Sequence, residues 1–259
     1  VTVHRNGSIF LRDAMALTAG DLVLDGLTFS DCPQEGGGTP PVLSGASDAT
    51  VSAGNLVLTG CASLGFSSSQ SLLISGDFVN ESTCPGDFNF NGNMNMGGAS
   101  SLGAPPPQTF EVAGRDLGPG VAGFATNFSM GGLEIAPGAN VLFQDQFDNF
   151  QDGQTPCGEA LYVGHLTLRA GSTITLDNCR VYFNQLLDEG GAVNLIGCAG
   201  VVPTGDSNGD GAINLIDFAG LLSCFQNEPG ATGCSSFDYD ADSDVDLNDL
   251  AVFENSFTG

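Results

Sequence analysis

The chain has no lysine and no tryptophan, and only three tyrosines and two histidines among its 259 residues. Five arginines (Arg5, Arg12, Arg115, Arg169 and Arg180) face thirty acidic residues, giving a formal net charge of −25. Nucleic acid and anionic lipid surfaces would be repelled, so neither is an expected partner. No apolar run reaches the roughly eighteen residues of a membrane-spanning helix, so membrane insertion is not expected either. Catalytic signatures are also missing: there is no nucleophile elbow, HExxH, Walker loop or Cys/His zinc spacing, and His4 and His165 lie far apart. The one GxGxxG, Gly118 to Gly123, holds Pro119 and has no strand–helix context, and it reads as a loop. Asp145, Asp148, Asp152 and Glu159 have the residue type for paired-carboxylate glycoside hydrolysis. Set among Gln and Gly between strand-like runs, they read instead as a solvated loop or a further calcium contact. The expectation is a protein that is not an enzyme.

Cysteine is present, and in an even count of eight. That points to an oxidising compartment and to disulfides. Cys224 and Cys234 bracket one connection and are expected to bridge each other. Cys157, Cys179 and Cys198 recur at intervals of 22 and 19, near one coil of a solenoid, as stacked neighbours would, and the pairing of the six other cysteines stays open. The sequence opens at Val1 rather than at methionine, the start expected of a secreted chain after removal of its leader. Asn6, Asn80 and Asn127 begin Asn-x-Ser triplets and are possible glycosylation sites. The expected location is extracellular, at a cell surface or on a surface appendage.

From residue 1 to 202 the chain is rich in Gly, Ser and Asn, with short alternating apolar runs and almost no helical period. The runs include Leu22-Val23-Leu24, Leu56-Val57-Leu58, Leu72-Leu73-Ile74, Leu133-Glu134-Ile135 and Ile174-Thr175-Leu176. One phrase recurs, as Ala19-Gly20-Asp21-Leu22-Val23-Leu24 and Ala53-Gly54-Asn55-Leu56-Val57-Leu58. Such units suit a parallel β-solenoid, in which each coil stacks on the last; a β-sandwich or jelly roll is the alternative. The texture of residues 159 to 195 resembles the β-solenoid tails of large bacterial surface and adhesin-like proteins. Polysaccharide lyases on that architecture usually carry a lysine or arginine base near calcium; here there is no lysine, and no arginine stands in the acidic cluster. Residues 200 to 205 read as a linker, and Val1 to Arg5 as an edge strand closing the body's own sheet or adding to a neighbour's.

The second unit, residues 203 to 259, carries a twelve-residue acidic pattern twice. Asp206, Asn208, Asp210, Asn214 and Asp217 stand at positions 1, 3, 5, 9 and 12 of the first copy, with Ala212 offering its carbonyl at position 7. Asp238, Asp240, Asp242, Asp246 and Asp249 fill the same places in the second, with Asp244 at position 7. Oxygen donors at this spacing can wrap a cation that takes six to eight oxygen ligands, so two Ca2+ sites are expected. Gly211 permits the turn at position 6 of the first loop, while the second has Ser243 there. Ile213 and Val245, both at position 8, should turn inward and pair the loops as a short ladder. A helical pattern follows each loop, from Asp217 and from Asp249. Eleven carboxylates and no basic residue follow Gly205, a repulsion that calcium would remove.

This duplicated loop-helix unit resembles the dockerin type I module: position 12 is Asp rather than the Glu of EF-hands, and no helix precedes either loop. The resemblance implies a small α-helical module with two calcium loops set back to back. It also implies a cohesin partner met partly through positions 10 and 11. Those positions read Leu215-Ile216 and Leu247-Asn248 instead of the usual Ser-Thr, which turns the expectation away from cohesin. The function expected is a secreted, non-catalytic structural protein of an extracellular filament or surface layer. Its partners would be other copies of itself or a surface scaffold protein. The alternative is a carbohydrate-binding or carbohydrate-active protein anchored to a cohesin scaffold.

Overall fold

The structure, a computed structural model, describes residues 2–4, 8–11, 16–26, 42–45, 50–97, 106–125, 127–150, 157–208, 212–225, 234, 237, 239 and 244–256. Of the residues singled out above, Val1, Arg5, Asn6, Arg12, Asp152, Asp210, Gly211, Asp238, Asp240, Asp242 and Ser243 lie outside them. The described chain is mainly β, with eighteen strands and two short helices. Among the described residues no helix is long and apolar enough to cross a membrane.

The strands stack in parallel on three faces. On the third face lie β1 (Thr2–His4), the second halves of β3 (Ala16–Gly26) and β5 (Thr50–Gly60), β8 (Phe78–Ser82), β10 (Gln108–Glu111), β13 (Asn140–Gln144), β15 (Thr173–Asp177) and β17 (Ala192–Ile196). The first face holds β2 (Ser8–Leu11), β4 (Val42–Gly45), β6 (Ser63–Phe66) and the starts of β9 (Phe88–Met96), β12 (Met130–Ile135), β14 (Glu159–Leu168) and β16 (Arg180–Asp188), ending at β18 (Gly200–Pro203). The first halves of β3 and β5, then β7 (Ser71–Ile74) and the later halves of β9, β12, β14 and β16, make the second face. Among the described residues only β11 (Gly114–Arg115) pairs antiparallel, against β14. A sandwich or jelly roll would be built mostly from antiparallel pairs.

Alternation within each strand sends every second side chain inward, and the parallel register places inward residues of successive coils on top of one another. One such column is Leu22, Leu56, Phe78, Phe110, Phe143 and Leu176, all buried. Its phenylalanine rings lie 4.8 Å apart at both steps, Phe78 to Phe110 and Phe110 to Phe143. A second column runs Val51, Leu72, Met94, Leu133 and Leu166. These columns form one continuous core.

The repeated Ala-Gly-Asp/Asn phrase marks the corner between the second and third faces. A Cβ on Gly54 would meet the Gly20 carbonyl oxygen of the coil before it, so the close approach requires glycine. The polar residues next to it link the coils: Asn55 Nδ2 donates to Asp21 Oδ1 at 2.9 Å, Asp77 N to Asn55 Oδ1 at 2.7 Å, and Thr109 N to Asp77 Oδ1 at 2.8 Å.

Among the described residues three disulfides are formed: Cys61–Cys84, Cys157–Cys198 and Cys224–Cys234. The bridge between Cys157 and Cys198 passes over Cys179, which is free and buried, with its thiol pushed up to about 12 by burial. Residues 200 to 205 are not a linker. β18 pairs with β16, and Thr204 N donates to Phe183 O at 2.9 Å, so the sheet runs on until Gly205.

Phe110→Ala should empty one layer of the column and lower the unfolding free energy by about 3–5 kcal/mol. Leu187→Ala, at a side chain 51% exposed, should change it by less than about 0.5 kcal/mol. Urea denaturation followed by circular dichroism measures both.

Candidate metal centre

After β18 the backbone turns at Gly205, whose φ is +95° and where a Cβ would meet the Tyr239 hydroxyl. Tyr239 Oη donates to Thr204 O at 3.3 Å, which ties the second loop to the end of the body. Ile213, Leu221, Cys224, Phe237, Val245 and Phe253 form a core separate from that of the coils. The helices are α1 (Leu215–Cys224) and α2 (Leu247–Ser256), each starting two residues ahead of the acidic residue at position 12.

That offset has a cause. Asn214 caps α1, accepting from Ile216 N at 2.8 Å, while Asp217 on the first turn returns Oδ2 to Asn214 N at 2.9 Å. Such a capping box is worth about 1 kcal/mol and fixes where the helix begins. The other oxygen, Oδ1 of Asp217, accepts from Ser207 N at 2.8 Å and closes the loop on itself. The second loop repeats each bond. Asp246 Oδ1 accepts from Asn248 N at 2.7 Å, Asp249 Oδ2 from Asp246 N at 2.8 Å, and Asp249 Oδ1 from Tyr239 N at 2.5 Å.

Two segments 32 residues apart in sequence therefore fold alike, and their position-12 carboxylates, Asp217 and Asp249, are both fully buried. Asp206, at position 1, is fully buried too. Carboxylate oxygens of Asp244, Asp246 and Asp249 lie within 4.8 Å of one another. Burial holds the Tyr239 hydroxyl well above its ordinary pKa, and the negative charge of Asp217 and Asp249 adds to this. The ring thus feels the carboxylates of both loops. Ala212 and Asn214 flank Ile213, while Asn208 is exposed. Ile213 and Val245 are buried as expected and share one core. Chemically, a concentration of anionic and neutral oxygen donors with no basic residue suits a hard divalent cation.

No family model, curated protein or solved structure matches the chain.

Elsewhere, Asp145 and Glu159 come together with Glu111, which the sequence did not flag. Glu111 and Glu159 act on the backbone of one segment. Glu111 Oε1 accepts from Gln146 N and Phe147 N at 2.6 and 2.7 Å, and Glu159 Oε1 from Asn149 N at 2.8 Å. Asn149 in turn donates to Ser82 O and Asn80 O at 2.6 and 2.9 Å. These acids clamp a turn onto the coils. The GxGxxG segment is likewise packed: Leu117 N donates to Tyr162 Oη, which donates to Gly118 O, and Gly123 lies against the Tyr162 ring. Asn80 and Asn127 are buried, with Asn80 Oδ1 accepting from Ser82 N and Asn127 Nδ2 donating to Arg115 O.

Burial raises the Glu159 carboxyl to about 9 and Asp145 to about 6; the Asn149 N–H opposes the shift at Glu159, and neighbouring negative charge adds to both. Because the folded value at Glu159 is the higher one, its contribution is intact below about pH 4.5 and is lost as pH rises through about 9. Glu159→Gln keeps the acceptor for Asn149 N and removes the ionisation. The melting temperature of the variant should gain on the wild type as pH is raised from about 5 to about 9, as scanning calorimetry in EDTA would show.

Proposed function

We propose that the chain is a secreted, non-catalytic structural subunit of an extracellular filament or surface layer, and that its C-terminal unit is a dockerin-like, calcium-stabilised joint between subunits. The observation that carries this reading is the pair of loops closed by the same bonds around buried carboxylates. Asp206, Asn208, Asp210, Asn214 and Asp217, with the Ala212 carbonyl, would hold one calcium ion. Asp238, Asp240, Asp242, Asp246 and Asp249, with the Asp244 carbonyl, would hold the other. The ion supplies the positive charge that the unit's own sequence lacks. At about 1 mM calcium and a dissociation constant of roughly 10 μM, each site would stabilise the fold by about 2.7 kcal/mol.

The joint is read from positions 10 and 11. Leu215 is 73% exposed, Ile216 62% and Leu247 69%, an apolar surface held at equivalent places by the two capped helices. Covering these side chains with a protein neighbour would remove apolar area from water. Among the described residues no phenylalanine or tyrosine ring is exposed, and Tyr162 and Tyr182 are stacked and buried. That leaves little for a sugar to stack on and supports the structural reading over carbohydrate binding. Of the acids nearest to a catalytic pair, Glu159 holds a turn through one oxygen. Disulfides in both body and module fit an oxidising, extracellular setting.

Light scattering of the purified chain should give a large mass in about 1 mM calcium, a fall on adding EDTA and recovery when calcium returns. A mass indifferent to chelation would sink the joint. Calorimetric titration should find two calcium equivalents. Asp249→Asn keeps the side chain's size and one acceptor, and should weaken the second site about tenfold or more, about 1.4 kcal/mol.

A further inference from the structure

Interior coils are covered on both sides, and the last one is not. Val193 and Leu195 of β17 continue columns in which Ile174 and Leu176 are fully buried, yet they are 42% and 54% exposed. Leu186 on the second face is 43% exposed, although Leu166 beneath it is buried. Solenoids normally end in a cap with a polar outer face. Here β17 pairs with β15 alone among the described residues, and its other edge offers a row of parallel-strand hydrogen-bonding groups.

The other end supplies the complement. β1 stands on the third face, one strand ahead of the first complete coil, and pairs with β3 alone among the described residues. β18 stands on the first face, one strand beyond the last complete coil, paired with β16. The two overhangs therefore fall on different faces. If a second copy follows in the same register, its β1 takes the place above β17 on the third face, beside β18. Charge favours that order: the first twelve residues carry Arg5 and Arg12 and no acid, whereas eleven acids and no base follow Gly205.

We propose that copies of this chain stack head to tail, with β1 of one copy adding in parallel to the free edge of β17 of the copy before it, so that β18 and the incoming β1 build one shared coil. This rests on reading the chain as an assembly subunit and adds the body's own ends as an interface separate from the calcium unit. The register is specific. Ile196 shares its column with Asp177, Gln144, Glu111 and Val79, and the same column passes through Val57 and Val23 to Thr2. Across the junction, Thr2 of the incoming copy should face Ile196, at the close spacing of adjacent strands.

Two variants of the full chain, both kept in saturating calcium, test this. Leu195→Asp puts a charge on a side chain already half open to water, so the melting temperature should hold while the scattering mass falls well below that of the wild type, to what the calcium joint alone holds together. The double variant Thr2→Cys, Ile196→Cys should form covalent ladders on mild oxidation, visible on a non-reducing gel, because the two positions lie at opposite ends of one copy and at bonding distance between copies. A Leu195→Asp chain that assembles like the wild type overturns the proposal while leaving the calcium joint standing. Assembled double-cysteine chains that do not cross-link overturn it as well. A wild-type chain that stays single with and without calcium overturns both the stack and the reading it rests on.

Discussion

A coil of three short strands cannot bury its own inward side chains, and most of this structure follows from that constraint. Leu56 has Leu22 on one side and Phe78 on the other, and without either it would face water or a void. The parallel register has to be kept from end to end, since a slip of one residue would turn every inward side chain of that strand outward. Several features of different chemistry hold it: the phenylalanine stack inside, the Asp21–Asn55–Asp77–Thr109 chain of hydrogen bonds at a corner, and the buried acids that fix the turn after β13. Arg169 spans coils on the outside, paired with Glu134 at 2.6 Å and Glu189 at 2.8 Å, but such exposed pairs add little.

Charge divides the molecule differently. The described arginines all serve the body: Arg169 as above, Arg180 on Asp116 at 2.6 Å, and Arg115 with its guanidinium carbon 4.5 Å from the Phe150 ring centroid. None is left for the C-terminal unit, where Asp206, Asp217 and Asp249 are all fully buried. Hydrogen bonds from loop amides offset part of the cost of burying such anions, and a divalent cation would offset the rest. The body's own buried acids behave otherwise. Glu159 has a carboxyl raised to about 9 and stays protonated at neutral pH, so it needs no counter-ion.

The β character of the body, its glycine corners and the inward position 8 of each loop were legible in the sequence, because each leaves a local signature. Gly20 and Gly54 sit in near-identical phrases since the same corner recurs. The phenylalanine column was not legible. Stacked residues are separated by 34, 22, 32, 33 and 19 positions in different coils, so no fixed period runs the length of the column that holds Phe78, Phe110 and Phe143. The Cys157–Cys198 bridge was hidden for a related reason, since it skips the cysteine nearest to each partner in sequence. Residues 200 to 205 misled because Gly, Pro and Thr signal turns, while the pairing that makes Gly200–Pro203 a strand comes from β16. In the loops, the capping role of Asp217 places α1 two residues earlier than the acidic spacing suggests.

The two proposed contacts differ in how they respond to conditions, and together they fix a polarity. An exposed apolar edge strand associates through buried area and backbone hydrogen bonds, which salt hardly affects. An acidic unit responds strongly to ionic strength and to calcium. Only Thr204 and Gly205 lie between the last strand and the first loop, and Tyr239 ties that junction to Thr204, so the acidic unit starts at the coil end that remains open. Two such ends meeting tail to tail would oppose like charge. Head-to-tail contact avoids that conflict. A contact of that kind is heterologous, and along the axis of a straight solenoid it does not close into a ring, so its natural product is a fibre.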